Sequence, residues 1–241
     1  MTGLRTAVAA LAMMLAFGPA LAQTVEEVPF DKRLKLAKVG DVDAQYSVGM
    51  SYETGSGAKL DLAEAAKWYR QAGLQGNLDA QFRLAVIVSK GAKGLKQDYT
   101  TALKLYREAS AKGHVPSMNA FGKMLQNGQG AAPDEAKAVE WYTKAADAKL
   151  ADAENNLAMM YLNGKGVQRD LNRAFKLFEQ AAGQGDGWGL NNLGGMYEVG
   201  WGTAKDPAKA MDLYKQAAAK GNTAAAENLK RLTPEAAAAN P

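Results

Sequence analysis

Residues 156–185 carry apolar positions in a helical period, a glycine-rich break, and then a second helical period. The first helix is predicted from apolar residues one and four positions apart, Leu157, Ala158 and Tyr161. Gly164 and Gly166 end that period, because glycine tolerates the positive φ that closes a helix. Asp170 is placed to cap a second helix by accepting a backbone N–H bond. The apolar stripe of that helix is Ala174, Leu177, Phe178 and Ala181. One such hairpin leaves an apolar face in water, so it requires neighbouring copies.

The same pattern recurs at intervals of about 36 residues and gives five copies in register. Leu193 stands 36 positions after Leu157, and Gly221 stands 36 positions after Gly185. The second copy has one extra residue in its turn, Lys93. A small residue expected at the close approach of two helices recurs as Ala65, Ala102, Ala138, Ala174 and Ala210. The helix-opening carboxylates are Asp61, Asp98, Asp134, Asp170 and Asp206. A repeat of this length predicts an all-α solenoid in which stacked hairpins build the core.

The motif LGxxY, followed by GxG, an aspartate and AxxWYxxAAxxG, resembles the Sel-one-like repeat family, relatives of the tetratricopeptide repeats. The resemblance covers about residues 31–232. It departs at Val88, which replaces the tyrosine, and at Lys149, which stands where a glycine would close the third copy. The resemblance implies a right-handed α-solenoid of helix-turn-helix repeats. It also implies an adaptor in protein complexes, as many bacterial envelope members are.

Residues 1–22 have the features of a secretory signal peptide: Arg5 near the start, an apolar run over 6–17, and small residues before Gln23. We therefore expect an exported protein that is soluble after cleavage, most simply periplasmic, with secretion as the alternative. Residues 23–29 are interpreted as a flexible lead. Residues 30–232 are interpreted as the solenoid, with capping helices at both ends, and residues 233–241 as a disordered tail.

Composition excludes several kinds of chemistry. The chain has no cysteine, so neither disulfides nor a thiol nucleophile are available, and a lone His114, expected at the surface, cannot build a zinc site. The 29 basic and 25 acidic residues are interspersed, whereas nucleic-acid binding favours a basic stripe. We expect no metal, no cofactor, no catalytic residue and no small-molecule substrate. The GxG turns lack the preceding strand of a dinucleotide site and recur in every copy.

One catalytic motif invites comparison. Ser56 and Lys59 match the SxxK of serine β-lactam enzymes, and some relatives have been linked to β-lactam binding. That chemistry also needs SDN and KTG elements, which the chain lacks, and Ser56 falls in an ordinary inter-helix turn. A hydrolase acting on the cell wall or on β-lactams is therefore the alternative from a different functional class.

Asparagines supply the main candidates for protein binding. Position 156 and its equivalents 36 residues apart lie where tetratricopeptide relatives line their concave groove. The resemblance therefore implies a ladder of Asn156, Asn192 and Asn228 that bonds a peptide backbone through amide donors and acceptors. The alternative is that each amide bonds a neighbouring helix. Asn119, Asn155 and Asn191, one position earlier, are expected to fill inter-helix contacts.

Two tryptophans break the repeat pattern. Trp188 stands where other copies have aspartate or proline, and Trp201 stands between turn glycines where other copies have polar residues. Each is interpreted as an interface anchor, because tryptophan is enriched at binding hot spots, or as a ring folded against the next turn. The expected partner is a segment of another envelope protein, in an envelope or secretion assembly or in the restraint of a membrane sensor. Action on host proteins after secretion is a further version.

Overall fold

The computed structural model describes residues 28–232, and every regular element of that stretch is a helix apart from a single bridge between Ala92 and Leu95. The predicted signal peptide and tail, and most of the lead, lie outside the described residues. The helices are α1 Phe30–Lys38, α2 Val42–Thr54, α3 Leu62–Leu74, α4 Leu78–Lys90, α5 Tyr99–Ala111, α6 Val115–Asn127, α7 Glu135–Asp147, α8 Ala151–Asn163, α9 Leu171–Gly183, α10 Gly187–Val199, α11 Pro207–Ala219 and α12 Thr223–Leu232.

The helices form five consecutive pairs with one extra helix at each end of the described chain. In each repeat the even-numbered helix from α2 to α10 comes first and is called the A helix; the following odd-numbered helix is the B helix. Helix α1 has the register of a B helix and α12 that of an A helix, as the capping prediction required. The prediction of an all-α solenoid of tandem helix pairs is confirmed.

The described residues divide into two compact units, with the boundary between Leu105 and Tyr106 inside α5. In the first unit, Ala37, Ala44 and Val48 form a buried cluster beside Phe30 and Trp68. In the second unit, one large buried cluster runs from α8 to α12. Its buried members include Ala158, Ala174, Phe178, Leu193, Met196, Ala210, Tyr214, Ala217 and Ala225.

Each B helix begins where the sequence predicts. The carboxylate of Asp170 accepts a bond of 3.0 Å from the Arg173 backbone N–H, and that of Asp61 accepts bonds of 3.0 Å from Ala63 and Glu64. Asp98, Asp134 and Asp206 make the same type of bond. Because these bonds satisfy N–H groups that have no partner within the helix, the five aspartates have a structural role.

Lys149 follows the B helix of the third repeat and has a φ of 63°. This is the left-handed conformation that glycine adopts at the equivalent position of the other repeats. It costs about 1–2 kcal/mol for a residue with a Cβ.

Within a repeat, the A and B helices touch where a small residue faces an aromatic ring. A Cβ on Gly194 would stand 2.8 Å from Cε1 of Tyr214, so only glycine fits against this ring. The Tyr214 hydroxyl donates a bond of 2.8 Å to Glu198 Oε2 on the same A helix. In the fourth repeat, Ala158, Phe178 and Leu162 occupy the three equivalent positions. Because Phe178 has no hydroxyl, its ring needs no polar partner on the A helix, and Leu162 stands where the fifth repeat has Glu198.

Glu154 is a buried carboxyl on α8 with incomplete hydrogen bonding. Its side chain is 0 % exposed; Oε2 accepts a bond of 2.7 Å from Gln184 Nε2, and Oε1 has no partner among the described residues. In the first unit, Gln45 and Gln81 occupy the equivalent position, and each donates a bond of 3.2 Å to a backbone carbonyl. Burial raises the pKa of Glu154, because a charged carboxylate is poorly solvated there.

We expect Glu154→Gln to stabilise the protein near pH 8 by about 1–2 kcal/mol, because an amide replaces a buried group that lacks a partner. The folded protein binds the Glu154 proton more tightly than the unfolded chain does. The stability that this proton confers is therefore present at low pH and is lost as pH rises through the raised pKa. Urea unfolding at pH 5 and pH 8 measures both effects.

Glu179→Gln, at an exposed position on α9, is the matched control and should leave both the stability and its pH dependence unchanged. A Glu154→Gln variant that is less stable than wild type at pH 8, or that keeps the wild-type dependence on pH, would contradict this account of the buried carboxyl.

Candidate functional site

The second unit contains a groove of about 350 Å³ on three consecutive A helices, α6, α8 and α10. Two of the candidates predicted from the sequence, Asn156 and Trp188, line it together. The remaining lining residues are Asn119, Lys123, Asp152 and Asn155. All six belong to the second unit, and every one except the tryptophan is an asparagine or a charged residue. We call this set the A-helix groove.

The asparagines form two interlocked columns. Asn156 Nδ2 donates a bond of 2.9 Å to Asn119 Oδ1, and the same bond recurs one repeat later, at 2.8 Å, from Asn192 to Asn155. It recurs again, at 3.1 Å, from Asn228 to Asn191. Each residue of the predicted ladder thus bonds a residue that was expected to fill inter-helix contacts. The ladder therefore bonds neighbouring helices, the alternative considered from the sequence.

The interlocked columns keep capacity for a ligand. A primary amide has two donor hydrogens and an oxygen that can accept two bonds, so the one bond that Asn155 or Asn156 makes, and the two that Asn192 makes to Asn155 and Asn191, leave further groups for a partner. Asn155, Asn156 and Asn192 are half-buried, so part of each side chain reaches the surface. Because the bonds between the columns hold these amides in fixed orientations, a ligand would not bear the cost of ordering them.

The walls of the groove combine an exposed aromatic ring with two opposite charges. Trp188 is 55 % exposed, and the charged groups of Lys123 and Asp152 lie along the same groove. Met159 is exposed on α8 outside the lining, one helical turn after Asn155 and Asn156, with its sulfur 4.0 Å from Asn192 Nδ2. The sequence analysis did not select Lys123, Asp152 or Met159. Asp152 could have been found, because it occupies in the fourth repeat the position that Trp188 occupies in the fifth.

Beyond the groove, the last A helix and the cap are joined by an ion pair. Arg231 donates to both oxygens of Glu198, at 2.7 and 2.8 Å, and this guanidinium holds the pKa of Glu198 below its usual range. Asn228 lies beside it, with Oδ1 at 3.5 Å from Arg231 Nη2. Asn192 and Asn228 therefore continue the asparagine columns toward α12 but do not line the groove.

Trp201 lies in a different place, in the turn between α10 and α11. It is 39 % exposed, and the guanidinium of Arg169, from the turn between α8 and α9, lies 5.8 Å from its ring centroid. Trp201 is therefore packed against a neighbouring turn and is absent from the groove lining. Its role as an interface anchor stays a prediction that concerns the turn surface.

The residues with catalytic potential are dispersed. Ser56 is exposed in the turn after α2, and its backbone N–H donates to Thr54 Oγ1 at 3.3 Å. His114 was expected at the surface but is half-buried at the start of α6, with Nδ1 2.8 Å from the buried Ser117 Oγ.

Within residues 28–232, no three histidine, aspartate or glutamate side chains are grouped to hold a metal ion. No helix in that stretch is long and apolar enough to span a bilayer.

A family model described as Sel1 repeat matches five consecutive segments, residues 42–77, 78–114, 115–150, 151–186 and 189–222. These segments coincide with the five helix pairs. Proteins built from Sel1 repeats generally mediate protein–protein interactions, and this scaffold is typically non-catalytic.

Solved structures show the same architecture. The chain is 32 % identical to a protective antigen present in uropathogenic Escherichia coli strains that displays an SLR fold, with a TM-score of 0.75. That match covers 84 % of this chain and 43 % of the antigen. A Sel1 repeat protein from Oxalobacter formigenes is 30 % identical over 78 % of this chain and 75 % of its own, with a TM-score of 0.73.

A curated relative matches over a shorter stretch. The DAP3-binding cell death enhancer 1 of Mus musculus is 40 % identical over 58 residues, which are 24 % of this chain and 11 % of the mouse protein. The chain thus corresponds to less than half of the antigen and to a small part of the mouse protein. The five matched segments, the five helix pairs and the structural neighbours agree: the chain belongs to the Sel1 repeat family.

Proposed function

We propose that this protein is an exported adaptor of the bacterial envelope and that its A-helix groove holds an extended segment of another protein. The observation that carries the proposal is the pair of interlocked asparagine columns beside the exposed ring of Trp188. The role is non-catalytic: the groove retains a partner and does no chemistry on it.

The chemistry of the groove suits a peptide backbone. An extended segment presents N–H and C=O groups that lose their water when they dock, and each must find a partner. The amide groups of Asn155 and Asn156 that the columns leave unused offer both donors and acceptors. Trp188 adds a large apolar surface to the same groove, and a ring in that setting is a typical hot spot.

The proposal that the protein is exported depends on the predicted signal peptide over residues 1–22. The proposal that it acts in the envelope depends in turn on that export. Two versions fit an adaptor without further assumptions. In one, the protein is a scaffold within an envelope or secretion assembly. In the other, it restrains a membrane sensor by holding a segment of that sensor's exported domain. In the third version, the protein is secreted and acts on host proteins. Cell fractionation distinguishes this version from the first two, because the mature protein would then be in the culture medium and not in the periplasm.

The test is capture of partner from cells that express a tagged protein. We expect Trp188→Ala to reduce the affinity for the captured partner about 30-fold, the loss that corresponds to a hot spot of about 2 kcal/mol. Far-UV circular dichroism should be unchanged, because the Trp188 ring is mostly exposed. The mature protein should be recovered from the periplasm and begin at Gln23.

Lys176→Ala, at an exposed position on α9, is the matched control and should bind as wild type does. Trp201→Ala reports separately on the turn surface. If Trp188→Ala captures the same partner with unchanged affinity, the groove is not the contact. If the protein keeps residues 1–22 and stays in the cytoplasm, the envelope assignment is wrong.

A further inference from the structure

We infer that the corner of the groove between Asp152 and Trp188 takes a basic side chain, arginine or lysine, from the bound segment. This inference rests on the proposed function and specifies the partner's chemistry. Two observations support it: four other aromatic rings of the second unit are covered by a lysine or arginine side chain, and the carboxylate of Asp152 lines the same groove as Trp188.

Cations cover the faces of four aromatic rings in this unit. The Lys144 ammonium lies 4.0 Å from the Trp141 ring centroid, and the Lys209 ammonium lies 4.3 Å from that of Tyr197. Arg173 covers Tyr161 at 5.4 Å, and Arg169 covers Trp201 at 5.8 Å. Trp188 is more exposed than Trp201 and has no such cation among the described residues. Its ring face is therefore available to a cation from another molecule.

Asp152 supplies the matching charge. Helices α8 and α10 are in contact, and Asp152 and Trp188 are each the second residue of their helix and line the same groove. Asp134 and Asp170 form ion pairs with Lys137 and Arg173, but Asp152 forms none with any described residue. A cation between this carboxylate and the ring would be attracted by both, whereas an anion would be repelled by both.

Positive groups near the corner oppose a cation, and one of them is Lys220, whose Nζ would stand 3.6 Å from a Cβ built on Gly185. The N-terminal ends of α8 and α10 carry partial positive charge. Each end also has a carboxylate, Asp152 on α8 and Asp186 at the cap of α10, whose side chain accepts a bond of 2.6 Å from Gly189. Lys123 is the other cation of the groove, but it lies on α6, two repeats away from Trp188. Asp152 and Asp186 therefore place two carboxylates against these positive groups at the corner.

The test is a titration of the ¹⁵N-labelled protein followed by NMR, with three small probes: N-acetyl-arginine methylamide, its neutral isostere N-acetyl-citrulline methylamide, and N-acetyl-glutamate methylamide. The chain has four tryptophans, and a Trp188→Phe variant assigns the Trp188 indole signal. We expect arginine to shift this signal with a Kd at least about tenfold below that of citrulline, and glutamate to leave it unmoved. Asp152→Asn should bring arginine to the citrulline level, whereas Asp147→Asn, at an exposed site on α7, should not.

Equal binding of arginine and citrulline, or an unchanged preference in Asp152→Asn, overturns the inference. If N-acetylglucosamine moves the Trp188 signal and arginine does not, the corner is a saccharide site and the inference is likewise wrong. Failure of the proposed function looks different. There, Trp188→Ala captures partner protein as wild type does, whatever the small probes show. If Trp188→Ala loses the partner but the wild-type groove shows no preference for arginine, the proposed adaptor function is supported. Only the inference that the bound segment supplies a basic side chain is then wrong.

Discussion

Phe178→Ala should lower the free energy of unfolding by about 3–5 kcal/mol, because it removes a large ring from a site that does not collapse around the cavity. The ring is 0 % exposed and lies in the core shared by α8, α9 and α10. Its neighbours include the small Ala158 and Ala174, which have no side-chain length with which to fill the gap. Urea unfolding followed by far-UV circular dichroism measures the loss.

Two variants on the same helix calibrate this result. Phe178→Leu keeps most of the volume and should cost much less than the alanine variant. Lys176→Ala, two positions away and exposed, should change the unfolding free energy by less than about 0.5 kcal/mol. A Phe178→Ala variant as stable as Lys176→Ala would mean that the fourth repeat does not depend on its aromatic core.

Gly202→Ala should cost about 2–5 kcal/mol, the sum of left-handed strain and overpacking. Gly202 has φ +68°, and a Cβ there would collide with the carbonyl oxygen of Leu171 and stand 3.0 Å from Phe175 Cβ. The turn of the fifth repeat thus lies directly on the B helix of the fourth. Thermal and urea unfolding should both report the loss.

Gly221→Ala separates the two causes. Gly221 has φ +84°, and a Cβ at this position would have nothing within 4 Å, so alanine there bears only the backbone strain. That strain amounts to about 1–2 kcal/mol. The difference between the two variants measures the close approach of one repeat to the next. If Gly202→Ala costs no more than Gly221→Ala, the turn does not pack against Leu171 as described.

The helices and turns can be predicted from the sequence because each repeat carries the same short-range signals. The aspartate before each B helix, the glycines in the turns and the small residue at the helix crossing act within a few residues of each other, so a spacing pattern captures them. Lys149 shows that a residue can depart from the sequence pattern while the backbone conformation is kept. The repeat alone predicts a glycine there, and the chain keeps the glycine conformation with a lysine.

The candidate site depends on contacts that local patterns do not contain. The ladder positions were predicted from their spacing, but the bond from Asn156 to Asn119 joins residues 37 apart and depends on how one repeat lies against the next. Lys123 and Met159 gave no signal, since single charged and apolar residues are common on helix surfaces. Nothing in the repeat pattern marks Glu154, and only the structure shows that its carboxyl is buried with one oxygen unpartnered among the described residues.

Photo-crosslinking in living cells tests the central claim, that the A-helix groove holds a segment of another protein. A benzoylphenylalanine placed at position 159, which is exposed one helical turn after the groove residues Asn155 and Asn156 on the same face of α8, should give one dominant crosslinked protein that mass spectrometry identifies. The same group at position 176, on the exposed face of α9, should not give that product. Adding Trp188→Ala to the protein that carries the crosslinker at position 159 should remove it. A product equally strong from both positions, or unaffected by Trp188→Ala, would contradict the account.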